Sequence, residues 1–299
     1  MTKIGSVPVV ASPDPHTHGP AIALPPLSCD CHAHVCGPAA LYPYFAGRIY
    51  TPPLATTAVD YSRMLHKLGI GRAVLVQPSF YGSDNQALLD GIASAGSAYR
   101  GVAVLADDTD DAELQRLHDA GIRGARVNIV DVASNKGVLP IERLRDLGKR
   151  IAPFGWHLEL LMHVDEFPDL DNAFLDFPVP LVFGHLGYVS TTRGVDDAGF
   201  RALLRLMRRG QAWVKLTGPY RISSSGMPHV DTNVYAQALL DAAPDRLLWG
   251  TDWPHVMVRW TIAMPNDAEF IDLLVRWIPD VAQRNRVLVD NPAKLYGFN

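Results

Sequence analysis

The sequence predicts a (β/α)8 barrel, a single domain over residues 28–299 behind an extended arm at 1–27. Three observations predict it. Short runs that are apolar on both faces alternate with amphipathic helical patterns, which marks a parallel sheet covered by helices. Eight such runs within 299 residues favour a closed barrel over an open doubly wound sheet. Several of the runs end on His, Arg, Glu, Lys or Asp, at the edge where such a barrel carries its chemistry.

Residues 1–27 are rich in Pro, Ser and Ala and read as extended. No sustained apolar segment precedes a cleavage site, so no secretory signal is expected, and His16 and His18 read as solvated. The first strand is Ser28-Cys29-Asp30-Cys31-His32-Ala33-His34. The loop at 35–57 follows, with Gly37-Pro38, Tyr42-Pro43-Tyr44-Phe45 and Pro52-Pro53. Proline at this density forbids regular structure, and the aromatic residues argue for packing over a pocket. Helices are then expected at 61–68, 85–97, 111–120, 141–152, 165–176 (broken early by Pro168), 200–209, 234–242, 269–278 and 281–288. Strands are expected at 72–77, 101–106, 124–129, 156–162, 179–185, 213–217 and 246–251. Gly69, Gly121 and Gly210 stand where helices stop.

Composition excludes several functions. The chain is 48% hydrophobic and 19% charged, with a net charge of −4 and no long basic run. Neither nucleic acid nor an anionic membrane surface is an expected partner, and no apolar run is long enough to span a bilayer. The three cysteines, Cys29, Cys31 and Cys36, are odd in number and crowd one segment. A disulfide framework is not expected, and a reducing cytoplasm fits. A Cys/His zinc knot lacks its second cysteine pair.

Two apart on a strand, His32 and His34 point to one side, with Cys29 and Cys31 expected on the opposite face. The other strand ends supply Gln77 and Ser79, then Arg126 and Asn128, then Glu159 with His163, then His185, then Lys215 and Thr217 with Arg221 beyond, and finally Asp252. A barrel interior is normally filled by branched apolar side chains, and buried charge is costly unless paired or used. Read one at a time, each of these could be a satisfied structural residue. Together they converge by geometry. His66, His118 and His157 lie in helices or at a strand start and read as structural.

These motifs resemble the amidohydrolase superfamily: Asp30-Cys31-His32-Ala33-His34, Gly184-His185-Leu186-Gly187 and Trp249-Gly250-Thr251-Asp252-Trp253-Pro254-His255. More narrowly, Val76-Gln77-Pro78-Ser79, the run from Gly121 to Asn128 and the closing run from Asp290 to Tyr296 resemble the branch of 2-pyrone-4,6-dicarboxylate lactonase and 4-sulfomuconolactone hydrolase. That resemblance implies a lactone hydrolase of aromatic-compound breakdown. It implies Asp252 as the residue that activates water, His32, His34 and His185 around the carbonyl, and arginines at Arg126 and Arg221 gripping substrate anions. Gln77, Ser79, Asn128 and Tyr188 complete the expected substrate wall. Tyr188 stands where the pyrone lactonases carry an arginine, and Leu161 stands nearest to their strand-five tyrosine. Both departures favour a lactone with fewer or differently placed anionic groups, such as a muconolactone.

The expected reaction is acyl transfer to water, and the resemblance implies that no metal is required. The alternative cofactor is one divalent ion, Zn or Mn, on His32, His34, Glu159, His185 and Asp252. No lysine stands on the fourth strand, so a carbamate-bridged two-metal centre is not expected. The rival readings are a metal-dependent decarboxylase of an aromatic or muconate acid and a carboxylate-binding barrel without catalysis. The arm has the length to reach a second copy, which leaves a homo-oligomer open.

Overall fold

Eight parallel strands follow one another around a barrel: β1 (Cys29–Ala33), β2 (Arg72–Val76), β3 (Tyr99–Ala103), β4 (Ile122–Asn128), β5 (His157–Leu161), β6 (Leu181–Phe183), β7 (Ala212–Leu216) and β8 (Leu247–Trp249). The computed structural model of the chain describes residues 7–53, 56–130, 138–256 and 263–299. The seam between β1 and the end of β8 is closed by backbone hydrogen bonds, Asp252 N to His32 O at 2.8 Å and His34 N to Trp253 O at 2.7 Å. The fold is therefore the (β/α)8 barrel that the alternation predicts. Among the described residues no helix is long and apolar enough to cross a membrane.

Helices α1 (Ala58–Leu68), α2 (Gln86–Ala93), α3 (Asp111–Asp119), α4 (Ile141–Ile151), α5 (Leu170–Ala173), α6 (Ala198–Arg208), α7 (Asn233–Ala242) and α8 (Asp267–Trp277) cover the strands. In α1, Tyr61, Met64, Leu65 and Leu68 are buried, the spacing that puts one helix face on the sheet. A capping box of Thr57 and Asp60 starts α1, and Gly69 at φ 75° stops it,. α9 (Val281–Asn285) runs through a π-helical turn into α10 (Asn291–Tyr296).

Alternation along the strands divides two cores. Ala73 and Leu75 face the helices. Val74, Val76 and Val102 fill the barrel with Cys29, Cys31, Trp213 and Leu248. Tyr296 and Phe298 join this inner cluster from the C-terminal segment. The guanidinium groups of Arg72 and Arg100 lie 5.1 and 4.9 Å from the centre of the Phe298 ring. The end of the barrel opposite the site is thus stoppered by aromatic rings.

Three expectations are corrected. Cys29 and Cys31 both pack inside the barrel rather than opposite the histidines, because the β1–β2 register slips between Asp30 and Ala33. Such a bulge turns successive residues to one side. β3 starts at Tyr99 and ends at Ala103, because the Asn85 side chain takes both Val104 N (3.1 Å) and Val104 O (2.9 Å). The helix expected at 165–176 is a single turn at Val164–Glu166 followed by the four-residue α5, with Pro168 between them. The closing helix expected at 281–288 is helical throughout and runs on, α9 passing through the π-helical turn at Arg286–Asp290 into α10.

The described part of the arm is held to α8 from outside. Asn266 donates to Asp14 Oδ2 (2.8 Å) and His16 O (3.1 Å), and Ala21 N donates to Asp272 Oδ1 (3.0 Å). In the loop after β1, Tyr44 and Tyr50 pack their rings on Phe80 at 5.8 and 5.6 Å between centres. Residues 54 and 55 of that loop lie outside the described residues.

The start of α6 sets a strict packing constraint. A Cβ on Gly199 would sit 1.9 Å from the backbone oxygen of Val164. Gly199→Ala is therefore expected to destabilise the protein by about 3 kcal/mol. Urea unfolding of the variant beside the parent measures this, and an unchanged midpoint would contradict the packing described.

Candidate active site

The C-terminal ends of the strands bring together residues that are far apart in the chain. His32 and His34 leave β1, His185 follows β6, and Asp252 follows β8. Each of the last two sits in the left-handed backbone region, at φ 52° and 63°, which costs energy for residues other than glycine and clusters at functional sites. Asp252 and His185 are fully buried, and His32 and His34 nearly so.

Asp252 is held by two side chains from the turn after β7. Arg221 donates from Nε to Oδ2 at 2.7 Å and from Nη2 to Oδ1 at 3.3 Å, and Tyr220 Oη donates to Oδ2 at 2.5 Å. The approach is tight: a Cβ on Gly218 (φ 53°) would lie 2.9 Å from Asp252 Oδ2 and 2.8 Å from His185 Nδ1. Burial alone would raise the Asp252 pKa. The charge of Arg221 overrides it and holds the carboxyl well below its ordinary value,.

The rings of His32 and His34 lie 5.0 Å apart, and those of His32 and His185 5.1 Å apart. His34 Nδ1 meets the Val76 carbonyl at 2.7 Å. That oxygen only accepts, so Nδ1 carries the proton and Nε2 of the neutral ring is bare. His34 Nε2 faces Asp252 Oδ1 at 3.8 Å, and His32 Nε2 faces the same oxygen at 3.5 Å. His185 Nδ1 pairs with Thr217 Oγ1 at 3.0 Å. Neither His32 Nε2 nor His185 Nε2 has a hydrogen-bond partner among the described residues. Burial drives the histidines to the neutral form. It takes His34 down to about 4, with Arg126 adding to it, and lowers His32 and His185 well below the usual histidine value, with Lys215 and Arg221 the next causes respectively.

Of the expected substrate residues, Gln77, Ser79, Arg126 and Asn128 line a cavity of about 660 Å3 over β2–β4. Asp252 and the histidines do not line it. Arg126 is the link, since its charge depresses both His34 and His185. Arg126 Nη1 donates to Gln77 O at 2.7 Å, and its Nε has no partner among the described residues. Tyr188 stands at the rim, stacked on His163 at 4.3 Å and edge-on to His185 at 5.7 Å. His163 lies past the end of β5, and its Nδ1 bonds to Tyr188 O at 2.8 Å.

Two expected roles change. Arg221 spends two of its three nitrogens on Asp252, so it acts first as the counter-ion of that carboxylate. Glu159 takes a hydrogen bond of 2.5 Å from Lys215 Nζ, and this pairing, reinforced by Arg126, lowers its pKa against the raising effect of burial. The sequence reading overlooked Tyr220 and underused Lys215. Lys215 did carry a signal: a charged residue inside an apolar strand, two residues from Trp213 and so on the same inward face.

The expected five-residue metal set is not assembled. Among the described residues, ligand atoms of His32, His185 and Asp252 come within 4.8 Å of one another. Fixed positive charge competes with a divalent ion there. Both oxygens of Asp252 already accept from Arg221, the guanidinium adds a fixed positive charge, and Glu159 is committed to Lys215,.

Comparison with known proteins places this geometry. Residues 29–298 match the model of the amidohydrolase family. A curated relative from Comamonas testosteroni, a 2-pyrone-4,6-dicarboxylate hydrolase, is 37% identical over 93% of this chain and 92% of its own. A 4-sulfomuconolactone hydrolase from Rhizobium radiobacter is 35% identical, with coverage of 93% and 92%. A solved structure of a probable 2-pyrone-4,6-dicarboxylic acid hydrolase from Acinetobacter baumannii, with citric acid bound, superposes with a TM-score of 0.79 at 26% identity, over 91% of this chain and 100% of that one.

The buried neutral histidines have a consequence for stability. His34 and His157 both fall to about 4 in the folded chain, against an ordinary value of about 6.5 when unfolded. Between those values the unfolded chain binds more protons, so stability is lost as the pH falls through that window. Asp30, raised to about 6 by burial, works in the opposite sense, but it is one group against the lowered histidines. The denaturation midpoint is expected to drop from pH 7 to pH 4.5. Urea titrations at half-unit intervals measure it, and a flat profile contradicts the neutral assignment.

Proposed function

The chain belongs to the amidohydrolase family, and from that premise we propose that it hydrolyses the ring ester of a small anionic lactone, using water activated at Asp252. The observation that carries this reading is one carboxylate oxygen, Asp252 Oδ1, facing Nε2 of both His32 and His34 at 3.5 and 3.8 Å, beside a cavity walled by Arg126. The curated relatives support it, since two of them are named as lactone hydrolases. None of those names points to decarboxylation or to binding alone.

Separations of 3.5–3.8 Å exceed a direct hydrogen bond, and they suit a water held against Oδ1. Asp252 takes a proton as the water oxygen attacks the carbonyl carbon. Negative charge then grows on the carbonyl oxygen, where an N–H of His32 or His185 stabilises it. The bond to the ring oxygen breaks, and that oxygen receives the proton from Asp252. Water has been divided between the two ends, leaving a hydroxyl and a carboxylic acid, which ionises to a carboxylate by releasing its proton to solvent. The left-handed backbone at Asp252 and the Arg221 fork hold the base in one orientation, which limits the reorganisation needed during the reaction.

Charge matching narrows the substrate. Lys215 answers Glu159, and Arg221 answers Asp252. Arg126 has no carboxylate partner among the described residues and is only 7% exposed. A buried cation left this way favours one substrate anion, carboxylate or sulfonate, held by charge-assisted hydrogen bonds. A muconolactone with a single acid group fits this better than a dicarboxylate. The fixed cations and the engaged Asp252 support a reaction without a required metal.

Three outcomes follow from this reading. In a panel of muconolactones, pyrone carboxylates and sugar lactones followed by acid release, a monoanionic lactone is the best substrate. Asp252→Asn lowers kcat about a thousandfold, whereas Arg126→Met raises KM about tenfold or more. Dialysis against a chelator leaves the rate unchanged. A panel with no turnover, or activity restored only by added zinc or manganese, rejects the proposal or its metal-free form respectively.

A further inference from the structure

We infer that Lys215 is a positioning residue that fixes the tautomer of His32, making the two strand-one histidines a matched donor and acceptor. Lys215 Nζ lies inside the barrel, fully buried, 3.1 Å from His32 Nδ1 and 2.5 Å from Glu159 Oε2. A lysine ammonium has three donors and no lone pair. Its contact with Nδ1 is therefore accepted by that nitrogen, and in the neutral ring the proton resides on Nε2. That N–H lies 3.5 Å from Asp252 Oδ1. His34 is fixed the other way: its Nδ1 donates to the Val76 carbonyl at 2.7 Å, and its Nε2 is the bare nitrogen. Two imidazoles separated by one residue thus face one oxygen with opposite polarity.

Glu159 explains why a cation is needed. Its Oε1 lies 3.4 Å from the same His32 Nδ1, where an unopposed carboxylate would draw the proton onto Nδ1. Lys215 neutralises Glu159 and occupies the nitrogen directly. The catalytic use of the His32 N–H rests on the hydrolase reading above, but the tautomer does not, and the test separates them.

The experiment is long-range 1H–15N correlation on the full chain labelled at histidine, with His32 assigned by the signal lost in His32→Gln. The expected wild-type pattern has a protonated Nε2 and an unprotonated Nδ1. In Lys215→Met the proton moves to Nδ1, whereas Lys215→Arg, which keeps a donor, retains the wild-type pattern. An Nδ1–H in the wild type, or an unchanged pattern in Lys215→Met, overturns the inference. Where Lys215→Met fails to fold because Glu159 is left unpaired, the double variant Lys215→Met/Glu159→Met replaces it. With nothing on Nδ1 its signals shift toward a mixture of tautomers, and wild-type signals there overturn the inference equally. With muconolactone as the assay substrate, Lys215→Met is expected to lose about tenfold or more in kcat with little change in KM. Absent turnover by the wild type rejects the hydrolase reading and leaves the magnetic resonance result to decide this one.

Discussion

The seam between the first and last strands governs both the barrel and its chemistry. Two backbone hydrogen bonds close it, and their four residues are His32, His34, Asp252 and Trp253. Asp30 reinforces it from behind: its carboxylate accepts from Thr251 N at 3.0 Å, Thr251 Oγ1 at 2.6 Å and Tyr61 Oη at 3.0 Å. A closed barrel has no free edge, so closing it necessarily brings the ends of β1 and β8 together. Asp252 and its strand-one histidine neighbours meet because the sheet cannot close without joining them. Gly250 shows how close that joint is, since a Cβ there would lie 2.7 Å from His32 N.

The barrel was legible because its signal is repetition. A misplaced boundary, as at β3, changes no topology when seven other units carry the same period. The departures have local causes that periodicity does not encode. An asparagine side chain captures Val104 and ends a strand early, and a proline divides the α5 region. The one-residue slip in β1 is a further case. Strict alternation places Cys31 opposite His32, whereas the bulge puts both toward the interior. His32 and His34 still converge, so the simple parity argument reached the right pair through an incomplete picture of the strand.

At the site, residues standing at strand ends were readable and their partnerships were not. Asp252, His185 and the strand-one pair are visible because polar groups interrupt apolar runs. That Arg221 serves Asp252 before any ligand depends on the turn at Pro219–Arg221 folding back, which leaves no periodic trace. Tyr220 is hidden for the same reason, one residue before an arginine that draws more notice. Glu159 and Lys215 stand 56 residues apart, and only the interior of the barrel makes them a pair. Sequence names the groups that can ionise; packing decides which of them compensate one another.

The charge balance around Arg126 reaches beyond recognition to turnover. In the proposed reaction, ring opening of a monoanionic lactone would create a second carboxylate besides the one that Arg126 would hold. The new group forms beside Asp252, in surroundings whose remaining cations are already engaged. Repulsion between like charges in a poorly screened interior is substantial. On that reading the arrangement that would hold the closed ring would repel the opened one, and the hydrolytic step itself would supply the impetus for product escape.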